Sequence, residues 1–209
     1  NKTFGEGLCF SCLSTAAAAS PCILRTELCQ AHLGLGRDID FEQRNHNQPH
    51  YVYLAQTDQL KVGITRTTQM PTRWIDQGAA AAIVLAEVPN RYISGVLEVA
   101  LKTQFTDKTN WQRMLKNESY EGAALDDQKW QLEEELPTDL SQYWTDDDAI
   151  WEFNYPVLQY PDKVKSLSLD QQRHVQGKLT GIRGQYLYLD QHTVINIRKH
   201  TGYQIKWEN

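Results

Sequence analysis

The sequence predicts an α+β protein in three parts: an N-terminal metal-binding segment, a small antiparallel sheet flanked by helices, and a small β domain reached through an acidic helical stretch. Three observations predict it. All four cysteines fall between residues 9 and 29. Two strand-like runs, 50–55 and 60–65, are separated by a connection of hairpin length and followed by helix, strand and helix signals. Residues 175–207 alternate apolar and polar side chains, with glycines at the bends.

At 209 residues the chain makes one large domain or two small ones. Apolar residues are 41% of it, with six Trp and ten Tyr, which is enough for a real core. No run of about 18 apolar residues occurs, so a membrane-spanning helix is excluded. No basic-then-apolar leader is visible, and a cytoplasmic protein is expected. The first residue is Asn1 rather than Met, so upstream residues are expected to be missing. The net charge of −5 is uneven: −1 over residues 1–50, +3 over 51–117, −11 over 118–152 and +4 over 153–209. A pI near 5.7 argues against a generic nucleic-acid binder but leaves room for a local basic groove.

Residues 1–36 hold the cysteines. Without a secretory leader, such clustering reads as metal binding before disulfides. Cys9 and Cys12 stand at the two-residue spacing that lets both thiolates meet one ion. Cys22 follows, then Cys29 and His32, giving five candidate ligands where a tetrahedral zinc needs four. Cys9, Cys12, Cys29 and His32 form the most familiar two-pair arrangement. Cys22 is then a surplus thiol, a replacement for His32, or part of a second site. The zinc is expected to be structural, because a closed thiolate-rich site admits no substrate water. The alanines at 16–19 predict a short helix. Residues 33–49 read as loop; His46 and His50 could ligate a metal, but no partner at short spacing supports that, and they are read as surface or structural histidines.

Residues 50–117 carry the central module. Tyr51, Val52, Tyr53 and Leu54, then Val62, Ile64 and Thr65, have strong strand propensity. Gly63 inside the second strand points to close approach by another backbone or a ligand. Pro71 opens a short helix that Gly78 ends. Residues 83–88 read as a third strand. Ser94 is the predicted cap of a helix through Val96, Leu97, Ala100 and Leu101, which also carries Glu98.

Residues 118–152 hold one base against twelve acids, yet Trp130, Leu132, Leu136, Leu140, Tyr143, Trp144 and Trp151 are too many for a disordered tail. They predict two short helices with docked apolar faces and a solvated acidic surface. The alternatives are a charge decoy over a basic groove and a docking surface for a protein partner. In 153–209, three or four short antiparallel strands are expected. There, Arg183, Arg198, Lys199 and Lys206 with Tyr186, Tyr188, Tyr203 and Trp207 offer either a stacking face for single-stranded nucleic acid or core and cross-strand pairs.

The module over 50–117 resembles a GIY-YIG nuclease domain. Tyr51, Val52 and Tyr53 stand where that family has Gly-Ile-Tyr, and Lys61, Val62 and Gly63 where it has Tyr-Ile-Gly. Arg73 matches its helix arginine, and Glu98 its metal-binding glutamate. The resemblance implies a metal-dependent endonuclease or nucleic-acid processing enzyme acting on DNA or RNA. Glu98 would hold Mg²⁺, Arg73 would grip a phosphate oxygen, and Tyr53 would serve as or position the general base. Three departures are visible: Lys61 replaces a tyrosine, Asp76 or Gln77 stands where a histidine is usual, and the hairpin is shorter than in standard members. Those departures imply the alternative of a non-catalytic nucleic-acid-binding protein with structural zinc. More of the chain resembles an uncharacterised bacterial family that joins a Cys/His cluster to such a core and a β-rich C-terminal part. Residues 49–55, 60–66, 71–79 and 184–187 carry this likeness. Members of that family have a further Cys pair upstream, which implies lost partners for Cys9 and Cys12.

Overall fold

The fold was taken from a computed structural model, which describes residues 3–206 apart from 5–6, 103–104, 106–109 and 119. It is a mixed α+β structure with two four-stranded sheets. The first has strand order β2-β1-β3-β4, with β1 His50–Gln56, β2 Leu60–Arg66, β3 Ala81–Val88 and β4 Ile150–Glu152. All its neighbours are antiparallel. The second has order β5-β8-β7-β6, with β5 Lys165–Leu167, β6 Leu179–Arg183, β7 Tyr186–Leu189 and β8 Thr193–Asn196.

Helices α1 Phe10–Thr15 and α2 Ile39–His46 precede the first sheet. Helix α3 Thr72–Asp76 follows β2, and α4 Arg91–Lys102 follows β3. Helices α5 Trp111–Leu115 and α6 Leu125–Glu134 come next. Strand β1 is central because its residues alternate between two apolar environments. Val52 and Leu54 join Leu97 and Leu101 of α4 and Leu125 and Leu132 of α6 in the main core. Tyr53 and Ala55 join Trp74 of α3 and Ala82 and Val84 of β3 in a smaller one. Among the described residues no helix is long and apolar enough to cross a membrane.

Several elements differ from the sequence expectation. The stretch read as loop over 33–49 contains α2, capped by Asp38, whose carboxylate accepts from Phe41 N at 2.9 Å. Asn90, not Ser94, caps α4: its side chain accepts from Ile93 N at 3.0 Å, while Ser94 lies buried inside the helix. The alanines at 16–19 make a 3₁₀ turn, Ala17–Ala19, after α1. The acidic stretch has one α-helix, α6, then a 3₁₀ turn and the edge strand β4, because Ile150–Glu152 finds the free side of β3. Strand β5 is parallel to β8, and residues 203–206 are exposed coil rather than a strand.

Arg183 joins the two sheets. It is 2% exposed and donates from Nε to Gly78 O at 3.1 Å and from Nη1 to Asn117 Oδ1 at 2.7 Å. Its guanidinium lies 5.2 Å from the Tyr155 ring centre and 5.9 Å from that of Tyr160. Tyr188 is also buried, donating to Leu115 O at 3.0 Å, and Tyr186 stacks on Trp111. Arg183, Tyr186 and Tyr188 are therefore interior fasteners, because a basic residue flanked by aromatics packs as well as it binds. Arg198, Lys199, Tyr203 and Lys206 stay exposed, and Trp207 lies outside the described residues.

His50 starts β1 fully buried, with Nδ1 2.6 Å from Gln48 O and no partner for Nε2. Burial pushes its pKa down to about 4 from the usual 6.5. The unfolded chain therefore takes the proton first. The stability contributed by neutral His50 is in place above pH 6.5 and is lost as pH falls to 4, a change of about 3 kcal/mol. Urea unfolding at pH 7 and pH 5 should show a smaller acid loss in His50→Leu than in the wild type. Equal losses would assign acid sensitivity to other groups.

Candidate functional site

Two groups of chemically active side chains stand out, one beside α4 and one around Tyr53 on the α3 side of β1. The first comprises Cys22, Cys29, Glu42 and His46, all buried, with their donor atoms within 4.8 Å of one another. The 3₁₀ turn Pro21–Ile23 places Cys22, and Cys29 closes the turn Thr26–Leu28. Helix α2 presents Glu42 and His46 one turn apart on the same face. His46 Nδ1 lies 3.2 Å from Glu42 Oε2 and 3.8 Å from Cys22 Sγ. Ser20 Oγ is 3.3 Å from Cys22 Sγ, and Glu42 Oε1 accepts from Arg37 N at 3.0 Å. The Cys29 thiol, His46 and Ser20 all favour the Cys22 thiolate and lower its pKa against the cost of burial. The same contact and burial push Cys29 up.

This group could hold a metal ion. Bond lengths of about 2.0–2.3 Å in a tetrahedral zinc site put donors roughly 3.3–3.8 Å apart. The His46 distances to Glu42 and Cys22 span that range. Two thiols, an imidazole and a carboxylate suit a borderline-soft divalent ion.

The structure does not bring the five sequence candidates together. Cys9 and Cys12 form a separate, exposed pair at the start of α1. The Cys12 backbone and thiol lower the Cys9 pKa, and the partner thiol raises that of Cys12. His32 stacks on Tyr92 with centroids 4.6 Å apart, and its Nδ1 has no hydrogen-bond partner. His46, read from the sequence as a surface or structural histidine, is instead in the cluster.

The second group surrounds Tyr53. This residue is fully buried, sits opposite Gly63 on β2, and packs edge-on to Trp74 at 5.6 Å. A Cβ at position 63 would lie 2.7 Å from the Tyr53 hydroxyl, so glycine is required there. The hydroxyl accepts a short hydrogen bond from the Gln77 amide. Burial pushes the phenol pKa up, with Glu98 adding to this, while Arg73 and Gln77 work against it. Lys61 lies opposite Ala55, two residues before Gly63 and half-buried.

Glu98 is 14% exposed, and both its oxygens are engaged. Thr26 Oγ1 donates to Oε2 at 3.0 Å, and Lys102 Nζ lies 3.3 Å from Oε1. A cavity of about 450 Å³ lies elsewhere, lined by Asp76, Leu187, Ile197, His200 and Tyr203 among others. Both ring nitrogens of His200 are occupied, by Asn196 O at 2.8 Å and Leu169 N at 3.0 Å.

Sequence reasoning missed Glu42 and Thr26, set His46 aside as a ligand, and named Gln77 only as a departure from the resembled family's histidine. Glu42 and His46 carried a usable signal: a carboxylate and an imidazole four apart, behind the capping Asp38. Thr26 carried none, because its role arises from tertiary contact. In comparison with known proteins, a family model described as a protein of unknown function (DUF2797) matches residues 1–205. No curated protein and no solved structure matches the chain.

Proposed function

The chain belongs to the DUF2797 family of proteins of unknown function, and on the geometry above we propose that it is a metal-dependent, nucleic-acid phosphodiester-processing protein with a GIY-YIG-type core. One observation carries the reading: the buried Tyr53 hydroxyl takes a hydrogen bond from Gln77 at the end of α3, and its proton also feels Arg73 of the same helix and Glu98 of α4, so two separate parts of the chain act on one atom. In this reading the Arg73 guanidinium faces a phosphate oxygen, with a planar fork suited to it. Tyr53 keeps its proton and orients Arg73 and Gln77, because burial raises its pKa and a raised phenol is a poor base at neutral pH. Glu98 would hold a divalent ion such as Mg²⁺, which supplies charge neutralisation and an activated water when bound. Lys61 adds a cation near the phosphate.

Cys22, Cys29, Glu42 and His46 would hold zinc in a structural role, since four buried protein donors leave no position for substrate water. The second reading is a non-catalytic nucleic-acid-binding protein. The full burial of Tyr53 favours it. Protein contacts through the acidic surface of α6 stay secondary to both.

Incubation with single- and double-stranded DNA and RNA separates the readings. Mg²⁺-dependent cleavage should fall at least a hundredfold in Glu98→Ala while folding is retained. Salt-sensitive binding without cleavage in either protein supports the second reading. Neither cleavage nor binding would remove both.

A further inference from the structure

The two candidate groups are joined by the loop 22–29. Its ends are the metal-cluster residues Cys22 and Cys29, and between them Thr26 hydrogen-bonds Glu98 at 3.0 Å. The loop lies along one stripe of α4 at positions 91, 95 and 98. Arg91 donates from Nε to Cys22 O at 3.1 Å and from Nη2 to Ile23 O at 3.2 Å. One turn later, Gly95 lets the loop backbone touch the helix: a Cβ there would lie 2.3 Å from Glu27 N and 2.4 Å from Thr26 C. Glu98 then receives the Thr26 hydroxyl, itself 4% exposed. The stripe follows the i, i+4, i+7 spacing of a single helix face.

We infer that the loop 22–29 is a metal-fastened brace on α4, and that Thr26 is the positioning residue that sets the Glu98 carboxylate. A metal ion held by Cys22, Cys29, Glu42 and His46 closes the loop at both ends and ties it to α2. Closure removes the freedom of the intervening residues, so Thr26 is presented to Glu98 at little further entropic cost. A carboxylate oriented by a hydrogen bond is the usual support of a metal-binding carboxylate, and losing that support weakens metal affinity by roughly ten- to hundredfold. The Glu98 half of this inference rests on the phosphodiester-processing reading; the brace does not.

Two measurements on the full chain test it. Hydrogen exchange of α4 and residues 22–29, with zinc bound and after chelation, reads the brace directly. Chelation should speed exchange in both segments together and leave the β6–β8 hairpins unchanged. Unchanged exchange in α4 would overturn the brace. Mn²⁺ affinity, read by water-proton relaxation, tests the positioning role. Thr26→Val should weaken Mn²⁺ binding by roughly tenfold or more, and Thr26→Ser should restore it. If Glu98→Ala abolishes Mn²⁺ binding but Thr26→Val leaves it within twofold, Thr26 is not a positioning residue. If Glu98→Ala leaves Mn²⁺ binding intact, the catalytic-metal reading and the role of Thr26 fall together, and the exchange result still decides the brace.

Discussion

Cys22→Ser is expected to abolish binding of one equivalent of zinc and to destabilise the protein by about 4 kcal/mol, near the upper end for a single substitution. The size follows from where the donors sit. Four buried polar groups share one small volume, and each is costly there unless an ion or a hydrogen bond meets it. Structural zinc contributes about 10–16 kcal/mol of binding free energy in small peptides, and part of that would be folding free energy in this chain if the cluster holds it. Metal analysis with urea unfolding, with and without added zinc, measures both effects. His46→Ala should behave alike. Cys9→Ser and Cys12→Ser should keep the metal, because that pair is exposed and apart from the cluster. Loss of metal in Cys9→Ser with retention in Cys22→Ser would restore the two-pair arrangement read from sequence spacing.

Arg183→Leu is expected to cost about 3 kcal/mol and to loosen the second sheet from the first. The substitution leaves the buried Gly78 O without its donor, which costs about 1–3 kcal/mol, and takes the partner from Asn117 Oδ1, where water can replace it because Asn117 is exposed. It also removes the cation between Tyr155 and Tyr160. Lysine should recover little, since one ammonium cannot span two acceptors in different directions. Urea unfolding gives the free energy, and hydrogen exchange in β6, β7 and β8 gives its location. Stability within 0.5 kcal/mol of the wild type, roughly the size of an ordinary surface substitution, would show the two sheets hold together without this side chain.

Strands β1, β2 and β3 of the first sheet were legible because they carry β-branched and aromatic residues between clear turn signals, whereas the short edge strand β4 was hidden in a stretch read as helical; the close approach expected at Gly63 is made by the ring of Tyr53 rather than by a backbone or a ligand. The second sheet was legible as a set of short strands, but the parallel pairing of β5 with β8 was not, since residues 165–167 have no alternation that separates the two directions. The metal cluster was half legible. Clustering of thiols pointed to a metal, and Cys22 and Cys29 are in the group the structure assembles. Spacing favoured Cys9 and Cys12 because adjacency in sequence is visible. The approach of α2 is a property of the folded chain. Helix α2 itself was readable from Asp38, the acids of its first turn and the bases of its last, and was overlooked because its face is weakly apolar. Arg183 and Tyr188 have the composition of a binding surface, and only burial reveals them as packing.

The donors of the cluster all lie between residues 22 and 46, whereas the helix they brace begins at residue 91. During synthesis at about 5–20 residues per second, several seconds separate completion of the donor set from completion of α4. If these donors hold an ion, the nascent chain can capture it first, and the loop so closed then waits for the helix that Arg91, Gly95 and Glu98 offer it. On that reading, a shortage of the ion would fall first on newly made chains, before α4 exists to be braced.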